Sequence, residues 1–546
     1  MSIDHPPDFD LIVVGSGPGG AQAAETAVRH GVKVGMVDVG HTDTTYADAV
    51  PDRPFTEIRR TDHDQQRYFL GETLEGVLTD PTKAGAQLTP PRRHIIRDTE
   101  RLLPIASDSF LPLQSLACGG LGAGWGAGAS TYEPTELRRA GLSPDQVLPY
   151  YDPLARDIGV SGAPEDDTSP HHAALGTLQP PLEVDSNGEA LLRSYAARRD
   201  ALNARGFKMG RLPLAVLTEP LGNRRPNAYH DMDFWSDHGE SVYRPWITVN
   251  ALKREPNFRY VDSTLVTRFR EVEGGVEVDG EHVETGAPIR VTGRRLLLAA
   301  GALNTARLAM RSLDGPGARV PLLCNPYSYL PVLNLPMLGK PARDRRHGFA
   351  QVTGLLTPAD RPEEQIVANC FSYRSLLLFK LVREMPLPPA LGLQLTRLMV
   401  TALLVVGVHH PDAGSSDRYL ELERDGDDDR LRARADRTAE ELALQHARER
   451  ELLGHLLRLR CLPLRVLRLA IGASIHYAGT LPFTESPAPL HCRTDGLLHP
   501  TSSVFVADSA PWTFLPAKGL TFTLMANARR VADLVAGPLA QQDTMA

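Results

Sequence analysis

Residues 8–14, DFDLIVV, form an apolar run of strand length that leads directly into GSGPGG at 15–20 and then into the alanine-rich AQAAETAVRHG. A strand that ends in a glycine turn and restarts as a helix commits this end of the chain to a parallel βαβ unit. Gly15 permits the tight turn, Gly17 the close approach of a pyrophosphate, and Gly20 the packing of the helix near the sheet, with Gly19 in the same loop. The free N–H groups at the helix start form an anion site. The next strand, KVGMVDVG, places Asp38 23 residues after Gly15, where a carboxylate can accept hydrogen bonds from an adenosine ribose. Together these features predict a dinucleotide site but do not choose between nicotinamide and flavin.

Further segments extend the pattern. CGGLGAGWGAG at 118–128 is a second glycine-dense block, too far downstream to belong to the first turn. It reads either as a crowded structural loop or as a backbone wall beside a flat cofactor. RRLLLAAGALNTARLAM at 294–310 reads as a buried strand, a turn at Gly301 and a helix starting near Asn304 or Thr305. SSVFVADSAPW at 502–512 reads as a strand ending in Asp508, followed by a closing helix in LTFTLMANARRVADLVAG. One binding domain assembled from separated stretches would produce this recurrence.

With GSGPGG and Asp38, GGLGAGWG, AAGALNTAR, HYAGT at 476–480, and VFVADSAPW followed by GLTFTLMANA, the chain resembles the glucose-methanol-choline family of flavin-dependent oxidoreductases. The resemblance implies FAD, a Rossmann-like FAD-binding domain built from separated stretches, and an inserted antiparallel-sheet substrate domain, in an α/β and α+β fold. It implies boundaries at 1–150, 240–315 and 490–546 for the FAD domain, with 151–239 and 316–489 forming the substrate domain and cap elements. It also implies oxidation of a C–OH group to a carbonyl, with hydride passing to flavin N5 and oxygen or another acceptor reoxidising the cofactor. The cofactor contacts it implies are Gly15, Gly17, Gly19, Gly20, Asp38, Gly119, Gly120, Gly122, Trp125, Gly126, Val266, Gly301, Asp508 and Gly519, with Val266 offering its backbone to adenine.

His476 falls where the family keeps its principal active-site histidine, suited by a near-neutral imidazole to take an alcohol proton. The usual partner, a second histidine or an asparagine, is replaced by Gly519. Its polar neighbours Lys518, Thr521 and Thr523 are candidates to place the substrate oxygen or balance charge, although Lys518 taken alone reads as solvated. Trp125 and Gly122 stand where the family has Asn and Ser, and Gly124 stands where some members carry a flavin-linking histidine, which excludes covalent attachment there. These departures keep desaturation, oxidative cyclisation and a non-catalytic binding protein as alternatives to alcohol oxidation. A polyol, an amino sugar or another secondary-metabolite alcohol is the substrate range considered.

Composition narrows the rest. The 546 residues carry 59 Lys plus Arg against 66 Asp plus Glu, a formal charge of -7, which gives no general reason to expect nucleic acid or an anionic membrane but does not exclude a local basic patch. Five scattered cysteines suit reduced thiols rather than a metal cluster or disulfide scaffold. The N-terminus reaches its first strand too soon for a signal peptide, predicting a cytoplasmic protein, and MVTALLVVGV at 399–408 is too short to span a membrane and reads as a buried strand. QVTGLL, IVANCFSY and ALLVVGVHH predict the substrate-domain sheet, and 376–403 contains proline-interrupted helical stretches that could form a lid. His171 and His172 read as loop residues, and His409 and His410, following a buried-looking strand, read either as structural residues or as residues approaching a pocket from it. The charged stretch 422–457 predicts a solvated turn followed by an amphipathic helix.

Overall fold

The computed structural model describes residues 7–75, 88–172, 175–341, 345–372, 387–425, 428–486 and 488–545. At its centre is the strand Phe9–Val14, buried along nearly its whole length as expected of a parallel strand covered on both faces. Val34–Val37 and Pro288–Leu298 flank it in parallel, and Phe258–Val261 adds beyond Val34–Val37, also in parallel. Val504–Val506 joins the last residues of Pro288–Leu298 in parallel. The first residues of that long strand instead pair antiparallel with Gly275–His282, which in turn pairs with Thr264–Val272. This sheet of seven strands therefore draws on residues from 9 to 506.

The helix Pro18–Arg29 packs its small residues Ala21, Ala24 and Ala27 into a core with Leu11, Val34, Val531 and Val535. Val531 and Val535 belong to the long helix Thr521–Met545, so the first and last helices lie against the same sheet. The helix Ala302–Leu313 covers a second core with Ile12, Phe269 and Leu298.

A second sheet of seven strands is antiparallel, in the order Cys461–Pro463, Tyr327–Asn334, Leu403–His409, Ile366–Ser372, Val352–Leu356, Phe207–Gly210, with Leu467–Arg468 also on Tyr327–Asn334. Leu403–His409 is the buried strand expected for 399–408. Helix Ala439–Arg458 presents Leu452 and Leu456 to this sheet, and its start is fixed by a reciprocal capping pair of Thr438 and Glu441. The architecture is a Rossmann-like α/β lobe with an inserted antiparallel-sheet lobe. The proline-interrupted stretch resolves into a helix Pro389–Met399, while residues 373–386 lie outside the described residues.

One expectation is corrected. The charged residues 418–435 form a hairpin, Arg418–Asp425 with Asp428–Ala435, rather than a solvated turn. Leu420, Leu422, Leu431, Ala433 and Ala435 are buried on one face, and Glu423 pairs with Arg430 and Arg432 on the other. Alternation with period two wins because one face of the hairpin closes the core under Ala302–Leu313. All five cysteines are free and buried.

Candidate active site

The first glycine turn is shaped by main-chain approach. Gly15 adopts φ +95°, and a Cβ there would stand 2.7 Å from the Ala299 carbonyl oxygen. A Cβ on Gly20 would overlap the Gly15 carbonyl, and one on Gly19 would lie 2.5 Å from that of Ala507. At Gly17 the nearest atom would be 4.0 Å away, so the space before this residue is open. Gly17 is also the N-cap of Pro18–Arg29, with no side chain capping the helix and no acidic residue in its first turn. Open space before unpartnered N–H donors at a positive helix end fits a phosphate group.

The second glycine block sits against the first. Gly120–Gly124 forms a 3-10 turn, a Cβ on Gly120 would come within 3.1 Å of Gly17 Cα, and one on Gly122 would strike Pro245 and Pro18 at 2.7 and 2.8 Å. The serine that the family pattern has where this chain has Gly122 would have no room here. The Ser16 hydroxyl joins the two blocks, accepting from the Gly119 N–H at 2.9 Å and donating to Asp38. Tyr260 donates its hydroxyl to the same Asp38 oxygen at 2.9 Å. Burial pushes the Asp38 carboxyl up to about 6, against the lowering effect of these hydrogen bonds. Trp125 is anchored by its Nε1–H to the Tyr243 carbonyl (2.7 Å), and the Arg244 guanidinium donates to the Trp125 carbonyl (2.7 Å). Gly126 follows, half-buried.

Other predicted contacts have identifiable surroundings. Val266 is buried beside a register shift between Val266 and Arg268 that interrupts the ladder with Gly275–His282. Gly301 takes φ +82° at the start of its helix and donates its N–H to Asp508 at 2.9 Å. Thr305 Oγ1 and the Ala510 N–H also donate to Asp508, at 2.5 and 2.9 Å. The Asp508 carboxylate thus brackets a strand end to a helix start, and burial raises its pKa to about 6.

At the substrate-lobe end, His476 Nδ1 lies 3.0 Å from Asn325 Oδ1. The orientation of Asn325 is set by its NH2 group, which donates to the carbonyls of His410 (2.7 Å), Leu515 (3.3 Å) and Pro516 (3.1 Å). Its oxygen therefore faces the imidazole and accepts, so Nδ1 carries the proton and Nε2 is left with its lone pair. The ring keeps part of its surface open, yet the surrounding protein is dense enough that burial lowers its pKa to about 4. His409 stacks on it with centroids 4.9 Å apart, and Tyr327 stacks on His409 at 4.2 Å. Burial, reinforced by His476 and His410, holds His409 well below its ordinary pKa.

The polar residues around Gly519 turn elsewhere. Lys518 is only 1% exposed, and its ammonium donates to Glu133 (3.0 Å), Glu136 (2.8 Å) and the His171 carbonyl (2.8 Å), correcting the reading of a solvated lysine. Burial would raise Glu133, but His171 and Lys518 hold it down to about 2. Thr523 is fully buried and bonded to the Tyr151 hydroxyl at 2.9 Å. Thr521 is half-exposed at the start of its helix. A Cβ on Gly519 would meet nothing nearer than the Gly128 carbonyl oxygen at 3.9 Å. Asn325 and Tyr260 lie far in sequence from the groups they hold and outside any motif, whereas Ser16 stands within GSGPGG, where the glycine pattern assigns it no role. His409, for which an approach to a pocket is one of the two readings, stacks on His476.

The chain matches no known family model and no curated protein. Its structure is similar to that of pyridoxine 4-oxidase from Mesorbium loti, with a TM-score of 0.57 and 15% identity over 96% of this chain and 99% of that one. It is also similar to a fungal aryl-alcohol oxidase, with a TM-score of 0.55 and 13% identity over 98% of this chain and 100% of that one. At these identities the likeness is one of fold, and it extends across nearly the whole length of this chain and of both structures.

Proposed function

We propose that this protein is an FAD-dependent oxidoreductase that oxidises an alcohol of a small organic molecule to the carbonyl. The observation that carries the reading is the His476–Asn325 pair, which presents a neutral imidazole with Nδ1–H tied down and Nε2 free to accept. The open space at Gly17, the uncapped helix start and the acceptor Asp38 supply what a dinucleotide needs, with Gly120 and Gly122 lying against Gly17 and Pro18. FAD, when bound, supplies the acceptor for a hydride. His476 would take the hydroxyl proton at Nε2 while the carbon-bound hydrogen leaves with its electron pair, so the alcohol loses one proton and one hydride. Asn325 keeps the ring from turning and fixes its tautomer. The names of the two similar structures, a pyridoxine oxidase and an aryl-alcohol oxidase, favour alcohols borne on aromatic rings as first substrates to try.

One observation favours a second reading. Position 519 offers open room and no polar group, and Lys518 and Thr523 are engaged elsewhere, so only His476 and Thr521 remain of the predicted oxygen-handling groups. Oxidation at a carbon without a hydroxyl, by desaturation or ring closure, needs fewer such groups.

The test is the visible spectrum of the purified chain reconstituted with FAD, followed by anaerobic mixing with pyridoxine, aryl alcohols and polyols. Bleaching by an alcohol supports the proposal, and recovery on admitting air identifies oxygen as an acceptor. Absence of flavin binding would sink both readings, and bound flavin that no alcohol bleaches would favour the second.

A further inference from the structure

Of the twelve large hydrophobic side chains exposed among the described residues, nine lie on three segments, 335–341, 387–400 and 457–465. These segments meet at one edge of the antiparallel sheet. Leu333 and Asn334 pair with Leu462 and Cys461, the Leu335 N–H donates to the Arg460 carbonyl at 3.1 Å, and Thr401 donates to the Met337 carbonyl at 3.2 Å. Met399, at the end of the helix Pro389–Met399, packs on the small core of Leu333, Met337, Ala402 and Leu403. Above that core the leucines face outward, with Leu398 63% exposed, Leu338 48% and Leu464 47%.

The charge of this face is one-sided. The thirty residues of the three segments contain no Asp or Glu, but they contain Lys340, Arg397, Arg458, Arg460 and Arg465, in a chain whose net charge is -7. All five cations are exposed. On the helix Ser186–Ala196, whose Ala190 joins that small core, Glu189 is already bridged by Arg193 at 3.5 Å. Apolar side chains rimmed by cations that no carboxylate bridges among the described residues suit an interface that is greasy inside and anionic at its surface. A second copy of the chain is a poor fit, because a two-fold contact would set these five cations against the same five with no carboxylate between the segments to pair them.

We propose that this edge of the sheet docks peripherally on an anionic lipid bilayer, with the leucines of the three segments entering the headgroup region and the five cations contacting lipid phosphates. No helix among the described residues is long and apolar enough to cross a membrane, so the attachment is to one leaflet. Two strands link this face to the proposed chemistry. Tyr327–Asn334 and Leu403–His409 begin or end at it, and their opposite ends carry Tyr327 and His409 of the ring stack on His476. Eight residues of strand set the two ends about 24 Å apart.

The test is flotation of the full-length, FAD-reconstituted protein with vesicles of phosphatidylcholine alone or of phosphatidylcholine with phosphatidylglycerol. The protein should float with the anionic vesicles only, and should be released as salt approaches about 1 M. Arg397→Ala and Arg460→Ala should each weaken partition about fivefold. Leu398→Asp should abolish it, whereas Leu534→Asp, at an exposed leucine on the C-terminal helix, should leave it unchanged. Flavin content and circular dichroism of each variant show whether the fold is intact. Failure of the parent protein to float, or equal flotation with neutral vesicles, would overturn the proposal. Lipid-free self-association removed by Leu398→Asp would also overturn it and would assign the face to a second copy.

Discussion

The two ends of the candidate site are built from different materials. Around Gly15–Gly20 and Gly119–Gly124 the shape comes from main chain lying on main chain, and at several positions a single methyl group would collide with a backbone atom or a proline ring. Around His476 it comes from side chains: two imidazoles and a phenol in a stack, and one amide whose donors are spent on three carbonyls. The first end tolerates little change in volume. The second depends on which atom carries a proton.

His476→Ala tests the second end most severely. It should slow substrate-driven flavin reduction by roughly 10² to 10⁴-fold with FAD content preserved, as read by stopped-flow and absorbance; unchanged reduction would remove His476 from its role. At the first end, Gly20→Ala should destabilise by about 3 kcal/mol or more, since the new methyl overlaps a carbonyl. Gly17→Ala should leave the melting temperature of the flavin-free protein nearly unchanged while weakening FAD, because its methyl enters open space. Equal melting shifts for the two variants would show that Gly17 is as tightly packed as Gly20.

Asn325→Leu should cost about 1–3 kcal/mol and also let the imidazole change tautomer, so the rate should fall further than stability alone explains. The pH dependence follows from the pKa of about 4. Because burial disfavours the charged ring in the folded state, His476 contributes stability that is complete above its unfolded pKa of about 6.5 and is lost as pH falls from there towards 4. The acid limb of kcat/KM should accordingly lie well below 6.5, and a limb near neutrality would contradict the buried, neutral ring. The smallest effect belongs to Gly519→Ala, whose methyl has space and should shift stability by less than about 0.5 kcal/mol; any large change would be in KM.

The contrast also explains what could be read from the sequence. The first turn was legible because strand, glycines, helix and Asp38 follow one another within thirty residues, so local geometry and chemistry coincide. The His476–Asn325 bond spans 151 residues, and a lone asparagine carries no spacing signal. Lys518 looked solvated because its partners Glu133 and Glu136 lie more than 380 residues earlier, where nothing in the local sequence announces a buried ion pair. The hairpin 418–435 was obscured by its own outer face, where alternating acids and arginines masked the buried leucines between them.

The central sheet also sets a schedule. Phe9–Val14 is separated from Val504–Val506 only by Pro288–Leu298, Gly19 rests on the Ala507 carbonyl, and Arg529 reaches back to Gln22 and Glu25. A ribosome adding about 5–20 residues per second needs roughly 25–100 s to go from the first strand to the last. Throughout that interval the N-terminal βαβ unit lacks a wall. The sheet, and the core that Pro18–Arg29 shares with Thr521–Met545, can therefore close only after the strand Val504–Val506 and the helix that follows it have been made.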